Sequence, residues 1–157
     1  MISLLNPARL LEMTRYFTLF DKKAGKIVAR YQQVFGIKRL IERINTRNSA
    51  GGREGGVIWH TTGSGKSFTM VFLSKAMILH ESLKQCRIVV VTDRVDLEDQ
   101  LSKTFALGGE LSGKKDKEAA MATSGKRLAE QVGKGTERII FSLIQKFNTA
   151  TKLPECV

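Results

Sequence analysis

Cysteine is scarce in this chain of 157 residues, which contains only Cys86 and Cys156. Their spacing matches neither a metal-binding nor a redox motif, so we interpret Cys86 as a core thiol and Cys156 as incidental. No apolar run reaches the roughly 18 residues that span a bilayer. The opening residues lack both a basic leader and a continuous apolar segment. These absences predict a soluble globular protein of the cytoplasm.

Acidic residues are also few, with 15 Asp and Glu against 26 Lys and Arg and a net charge of +11. Residues 1–55 contain 11 basic and 4 acidic residues, a difference of +7, so most of the excess precedes residue 56. Such an excess favours binding to polyanions, above all nucleic acid. A solvated basic face would produce the same composition, so charge alone leaves both interpretations open.

The first third of the chain is predicted to be helical. Asn6 followed by Pro7 is a favourable helix start and predicts a helix over about 7–20. A second amphipathic helix is expected over about 31–44, with its apolar residues spaced by three and four. Residues 45–56 contain turn formers without an apolar period and are interpreted as a mobile loop or linker. We therefore expect an N-terminal helical lead-in over residues 1–50.

Strands and helices alternate in the remainder, residues 51–157. Strands are predicted at 57–60, 87–93 and 138–144, and helices at 66–79, 95–105, 115–121 and 124–132. Strands separated by helices pair in parallel through right-handed crossovers. The predicted fold is therefore an α/β domain with a parallel sheet flanked by helices.

A phosphate-binding motif lies between the first predicted strand and helix, in the sequence HTTGSGKS from His60 to Ser67. Gly63 and Gly65 allow the backbone to curl until several N–H groups face one anion, and the helix start adds its positive dipole end. Lys66 would supply a charge for the β- and γ-phosphates of a nucleotide. The pattern predicts that the chain binds a purine nucleoside triphosphate with magnesium.

Four further loop positions have predicted roles or partners. Ser67 is placed to coordinate Mg²⁺, and Thr62 and Ser64 offer additional loop contacts. The usual motif begins with glycine, where this chain has His60. His60 could be a phosphate neighbour or a strand-end residue satisfied by a backbone carbonyl, and we expect the second. A glycine-rich turn followed by a lysine is the alternative interpretation of the whole motif.

Three segments together resemble the motor region of the R (restriction) subunit of type I restriction enzymes, a branch of the superfamily 2 helicases. They are WHTTGSGKSFTM, VVVTDRVDLEDQL and IIFSLIQKF. The resemblance covers roughly residues 5 to 150, and His60 within the loop agrees with it. It implies a P-loop, RecA-like first motor lobe, ATP and Mg²⁺ as cofactors, and ATP-dependent translocation and cleavage of double-stranded DNA. It also implies methylation and specificity subunits as partners.

The resemblance also implies individual contacts. Gln33, or else Gln32, would read the adenine edge, although a surface glutamine is the alternative. Arg94 would contact DNA within a segment that also matches at Thr92, Asp93, Leu97 and Gln100; a helix cap with a surface ion pair is the alternative. Ser142 would face a phosphate of the tracked strand, with a plain strand-end turn as its alternative. Lys66 would be the catalytic lysine.

Two parts of the intact family have no counterpart in these 157 residues, namely the D-E-x-H box and the nuclease domain. We therefore expect a piece of a motor subunit that binds ATP without appreciable turnover. Two alternatives remain at this point. The chain could be the first lobe of another superfamily 2 helicase or repair translocase, or a non-catalytic remnant that binds DNA or partner subunits.

Overall fold

The computed structural model describes residues 6–21, 25–83, 85–107, 109 and 114–153. Two compact units make up the chain, Met1–Gln85 and Cys86–Val157. The domain boundary that we predict after residue 50 stays a prediction. Cys86 is half-buried rather than enclosed in a core, and Cys156 lies outside the described residues.

The first unit contains three helices and a hairpin among its described residues. In chain order they are α1 (Pro7–Tyr16), β1 (Thr18–Asp21), β2 (Gly25–Val28), α2 (Tyr31–Asn45) and α3 (Lys66–Leu79). The bounds of α3 match the predicted helix, and α2 is one residue longer than expected. The predicted start of α1 is confirmed, since the Asn6 side chain accepts a hydrogen bond from the Ala8 N–H at 3.0 Å.

The predicted extension of α1 to residue 20 is wrong, because the helix ends at Tyr16 and the antiparallel hairpin β1–β2 follows. The Thr18 hydroxyl donates to the Met13 carbonyl at 3.0 Å and satisfies an acceptor at the end of α1. Phe17 and Leu19, on either side of Thr18, are each only 2% exposed. Burial of these two side chains therefore outweighs the helical spacing seen in the sequence.

The strand predicted at 57–60 is also wrong, since no strand in the described residues includes it. Val57 and Trp59 are 92% and 91% exposed. A buried parallel strand is stabilised by a hydrogen-bonded neighbour and by helices on both faces. Without a paired neighbour, this short apolar run forms an extended loop that leads into the P-loop.

The loop predicted over residues 45–56 is present, except that Asn45 is the last residue of α2, and part of the loop closes into a turn. Arg47 and Arg53 pair across it as an isolated antiparallel bridge. The Asn48 side chain accepts hydrogen bonds from the N–H groups of Ala50 and Gly52 at 3.1 and 2.8 Å. The polar and glycine-rich sequence therefore closes on itself locally.

The second unit contains a two-stranded parallel sheet with helices packed against it. Its described elements are β3 (Ile88–Thr92), α4 (Val95–Leu107), α5 (Lys114–Ala120), α6 (Gly125–Lys134), β4 (Ile139–Leu143) and α7 (Ile144–Ala150). Val90 of β3 is in register with Phe141 of β4, so the predicted parallel pairing of these two strands is confirmed. The Phe105 ring of α4 packs edge-on against Phe141, with their centroids 5.1 Å apart. The fold is mixed α/β, and its sheet is smaller than predicted.

Candidate functional site

The predicted phosphate loop is curled by two glycines with left-handed backbone angles. Gly63 has a φ of 77° and Gly65 a φ of 84°, a region that disfavours residues with a Cβ atom. A Cβ atom on Gly65 would also lie 3.2 Å from the Nε2 atom of Gln33. The chain can therefore turn between His60 and α3 only because these positions are glycine.

The start of α3 is open toward this loop. Gly65 precedes the helix and provides no side-chain cap. The N–H groups of a helix's first turn have no carbonyl partner within the helix, so here they are available to an anion. Ser67 is half-buried in that first turn.

Lys66 is exposed, and its ammonium group folds back over the loop. The Nζ atom lies 3.2 Å from the Thr61 carbonyl oxygen and 3.5 Å from that of His60. Both partners are neutral backbone acceptors, which a phosphate oxygen can replace with a stronger charged one. Thr62 and Gly63 are exposed at the tip of the same loop.

Within the loop, His60 does not bond a backbone carbonyl, so our prediction of its partner is wrong. Its Nδ1 atom lies 3.2 Å from the Ser64 hydroxyl. That hydroxyl donates to the Thr61 carbonyl at 2.6 Å, and the Ser64 N–H donates to the same carbonyl at 3.3 Å. A short series of hydrogen bonds therefore connects the beginning and the middle of the loop.

Gln33 is 5% exposed, so the surface-glutamine alternative is wrong, whereas Gln32 is exposed. The Nε2 atom of Gln33 donates to the Gly65 carbonyl at 3.1 Å and to the Thr69 hydroxyl at 2.9 Å. Its Oε1 atom accepts from the Arg30 N–H at 2.8 Å. This amide therefore ties the start of α2 to the start of α3, and its contact with adenine stays a prediction.

A cavity of about 480 Å³ lies beside the loop. It is lined by Arg30, Gln32, Gln33, Gly36, Ile58, Trp59, His60, Thr61 and Ser64. The first four of these belong to α2 or to the residue before it, the next two to the segment that leads into the P-loop, and the last three to the P-loop itself. The cavity provides space next to the phosphate loop for a further part of a ligand.

In the second unit, Arg94 lies between β3 and α4. Its Nη2 atom forms a 2.9 Å ion pair with Asp96, and both side chains are largely exposed. The surface ion pair of our alternative interpretation is therefore present. A contact between Arg94 and DNA stays a prediction.

Ser142, the second predicted DNA contact, is completely buried in β4, and its hydroxyl donates to the Leu143 carbonyl at 3.2 Å. A phosphate could reach this hydroxyl only if the end of β4 opened. Two contacts hold that end in place. Gln145 donates to the Asp93 carbonyl at 3.2 Å, and Lys146 lies 3.6 Å from the buried Glu98 carboxylate.

Comparison with known proteins identifies the family. The SWI2/SNF2 ATPase family matches residues 32–156, most of the chain. The chain belongs to the SWI2/SNF2 ATPase family. The matched region contains Gln33, the phosphate loop, Arg94 and Ser142.

Relatives of this SWI2/SNF2 chain include type I restriction enzyme subunits. It is 37% identical to the type I restriction enzyme HindI endonuclease subunit of Haemophilus influenzae, over 92% of this chain and 14% of that protein. It is 32% identical to the putative MjaIXP endonuclease subunit of Methanocaldococcus jannaschii, over 97% of this chain and 14% of that protein. The predicted resemblance to this group is confirmed, and the chain spans about a seventh of the length of these two relatives.

Thr69 is a site residue that the sequence reasoning missed. It is buried in α3, donates to the Gly65 carbonyl at 3.2 Å and accepts from Gln33. A polar residue within a helix that is apolar on nearly every side was the available signal. Such a residue needs a partner, and the sequence did not indicate that the partner lies on α2.

The described part of this SWI2/SNF2 chain contains neither a candidate metal cluster nor a candidate membrane-spanning helix. None of its described side chains form a group of three or more His, Cys, Asp or Glu that could hold a metal ion. No described helix combines the length and apolarity needed to cross a membrane.

Proposed function

We propose that this chain is the ATP-binding portion of the DNA-translocating motor of a type I restriction endonuclease R subunit. The observation that carries the proposal is the curled loop from His60 to Ser67, which opens onto the uncapped start of α3. Membership of an ATPase family and the names of the relatives support it.

The residues of the loop fit a magnesium-bound triphosphate. Lys66 would exchange its two carbonyl contacts for phosphate oxygens, and the N–H groups of Gly63, Gly65 and the first turn of α3 would surround them. Thr62 and Ser64 would border the phosphates. Bound Mg²⁺ would neutralise charge on the phosphates, and the Ser67 hydroxyl is the ligand that this chain would offer.

The base would occupy the cavity beside α2. In this proposal Gln33 reads the adenine edge, which requires its amide to exchange at least one of its present partners. Gln32, the second candidate for this adenine contact, is exposed and lines the same cavity. Substitution of these two glutamines separates the two assignments.

DNA would bind the second unit through Arg94. An exposed ion pair such as Arg94–Asp96 contributes only about 0–1 kcal/mol, so a DNA phosphate can replace Asp96 at small cost. We further propose that the full-length protein works with methylation and specificity subunits, as the resemblance to type I restriction enzymes implies.

The test of the proposal is the effect of Lys66→Ala on ATP binding, measured by calorimetry with and without Mg²⁺. Loss of the ammonium group should weaken binding at least tenfold, or about 1.4 kcal/mol, since charge-assisted contacts contribute roughly 1.5–3 kcal/mol. The control is Lys126→Ala, which removes an exposed lysine of α6 and should leave binding unchanged.

Equal ATP affinity of the wild-type chain and Lys66→Ala would contradict the P-loop assignment. A wild-type chain without any magnesium-dependent ATP signal would contradict the proposal as a whole. That result would favour the alternative in which the chain is a non-catalytic remnant that binds DNA or partner subunits without nucleotide.

A further inference from the structure

The single proton of the Ser64 hydroxyl determines whether the Nδ1 atom of His60 donates or accepts a hydrogen bond. The Ser64 Oγ atom is 2.6 Å from the Thr61 carbonyl oxygen, and only the hydroxyl can supply a proton to that contact. Ser64 therefore has no proton left for His60, whose Nδ1 atom lies 3.2 Å away. The remaining contact forms only if the imidazole carries a proton on Nδ1 and donates it to Ser64.

We propose that His60 is a positioning residue for the phosphate loop, acting through Ser64. Its Nδ1–H donates to the Ser64 hydroxyl, which donates to the Thr61 carbonyl. This chain of two hydrogen bonds holds the loop in its curled form. The inference rests on the proposed function of the loop, namely that it binds the phosphates of ATP.

The contacts of the Thr61 carbonyl show what the two hydrogen bonds contribute to the loop. It accepts contacts from Ser64 N, Ser64 Oγ and Lys66 Nζ. When Lys66 moves to a phosphate, one of these contacts is lost at the moment when the loop must keep its shape. The His60–Ser64 contact remains, so the loop stays preorganised and less ordering entropy opposes binding. A glycine at position 60 has no side chain that could do this.

The tautomer of His60 is the direct test, because the chain contains only two histidines. His60 should carry its proton on Nδ1 when neutral. The other neutral form of the imidazole carries its proton on Nε2 instead. Nitrogen-15 NMR of the imidazoles at alkaline pH distinguishes the two forms, and His80→Ala assigns the signals. Neutral His60 without a proton on Nδ1 would overturn the inference.

Nucleotide affinity provides the second test. Loss of one hydrogen bond that orders the loop should weaken ATP binding about threefold to tenfold in His60→Ala. His60→Asn, whose Nδ2 atom replaces Nδ1, should restore most of the affinity, whereas His60→Gln should not. Ser64→Ala should weaken binding similarly, and adding His60→Ala to it should change little. The matched control, His80→Ala, should bind ATP as the wild type does.

These outcomes separate the inference from the proposed function. If ATP binding depends on Lys66 but is unchanged in His60→Ala, or is restored equally by Asn and Gln, the positioning role is overturned and the P-loop assignment stands. If the wild type binds no ATP while neutral His60 is protonated on Nδ1, the proposed function fails and the hydrogen-bond chain stands. If His60→Ala does not fold, the Asn–Gln comparison and the tautomer decide.

Discussion

At the scale of single residues, the Gln33 amide joins two helices that are far apart in the sequence. Its oxygen accepts from the N–H that precedes α2, as the third residue of a capped helix commonly does. Its nitrogen donates to Gly65 and Thr69, more than 30 positions away. Because the contact with Thr69 is buried and the other two are partly buried, losing them leaves polar groups that are shielded from water without partners.

We predict that Gln33→Ala destabilises the protein by about 1–3 kcal/mol, the cost of leaving buried hydrogen-bonding groups unsatisfied. Urea denaturation followed by circular dichroism measures this change. The neighbouring Gln32→Ala is the control, because Gln32 is exposed and surface substitutions usually stay within about 0.5 kcal/mol. Equal stabilities of the two variants would mean that the Gln33 hydrogen bonds contribute nothing measurable.

At the scale of secondary-structure elements, a glycine determines how closely two helices of the second unit approach. A Cβ atom on Gly125, in the first turn of α6, would lie 2.5 Å from Thr149 Cβ and 2.8 Å from the Lys146 carbonyl oxygen of α7. Neither atom is the end of a flexible side chain. In contrast, a Cβ atom on Gly36 within α2 would meet nothing within 4 Å.

The same substitution should therefore have opposite effects at these two positions. Gly125→Ala should lower the free energy of unfolding by about 1–3 kcal/mol, because the helices must separate to admit the methyl group. Gly36→Ala should raise it by about 0.5–1 kcal/mol, since alanine has the higher helix propensity. Thermal and urea denaturation measure both changes. A Gly125→Ala variant as stable as the wild type would contradict the close approach of α6 and α7.

At the scale of the whole molecule, the net charge of +11 predicts attraction to DNA whether or not a specific site exists. Ion pairs such as Lys38–Glu12 and Arg127–Glu137 neutralise single charges locally and leave this total unchanged. The dependence of DNA binding on salt and on Arg94 therefore distinguishes a DNA-binding surface from a solvated basic face.

We predict that duplex DNA binds weakly and with strong salt dependence, because counterion release lowers log K by about 0.9 per neutralised phosphate for each unit of log salt. Arg94→Ala should reduce that slope by about 0.9, one phosphate contact. Fluorescence anisotropy over a salt series measures the slope. Arg15→Ala, which removes the same charge from an exposed position of α1, should leave it nearly unchanged. A flat salt response, or equal slopes for the two variants, would favour the solvated face.

The sequence by itself determined the features that depend on neighbouring residues. The phosphate loop, the start of α3 at Lys66 and the bounds of α2 and α3 follow from glycine conformations, helix-start chemistry and apolar spacing within a few residues. The parallel pairing of β3 and β4 was also predictable, because each strand begins with a run of β-branched or aromatic residues and helices separate the two.

Only the tertiary structure decided the features that depend on distant partners. The apolar residues of β1 could belong to a helix or a strand, and burial against the rest of the unit selected the hairpin. Residues 57–60 have the composition of a strand but no paired neighbour. The sequence left Gln33 open between an adenine contact and a surface position, and only the fold shows it buried against Gly65 and Thr69. His60 acquires its role only when the loop brings Ser64 within hydrogen-bond distance. In each case the free energy that selects the observed structure comes from burial or hydrogen bonding between residues that are close together only after folding.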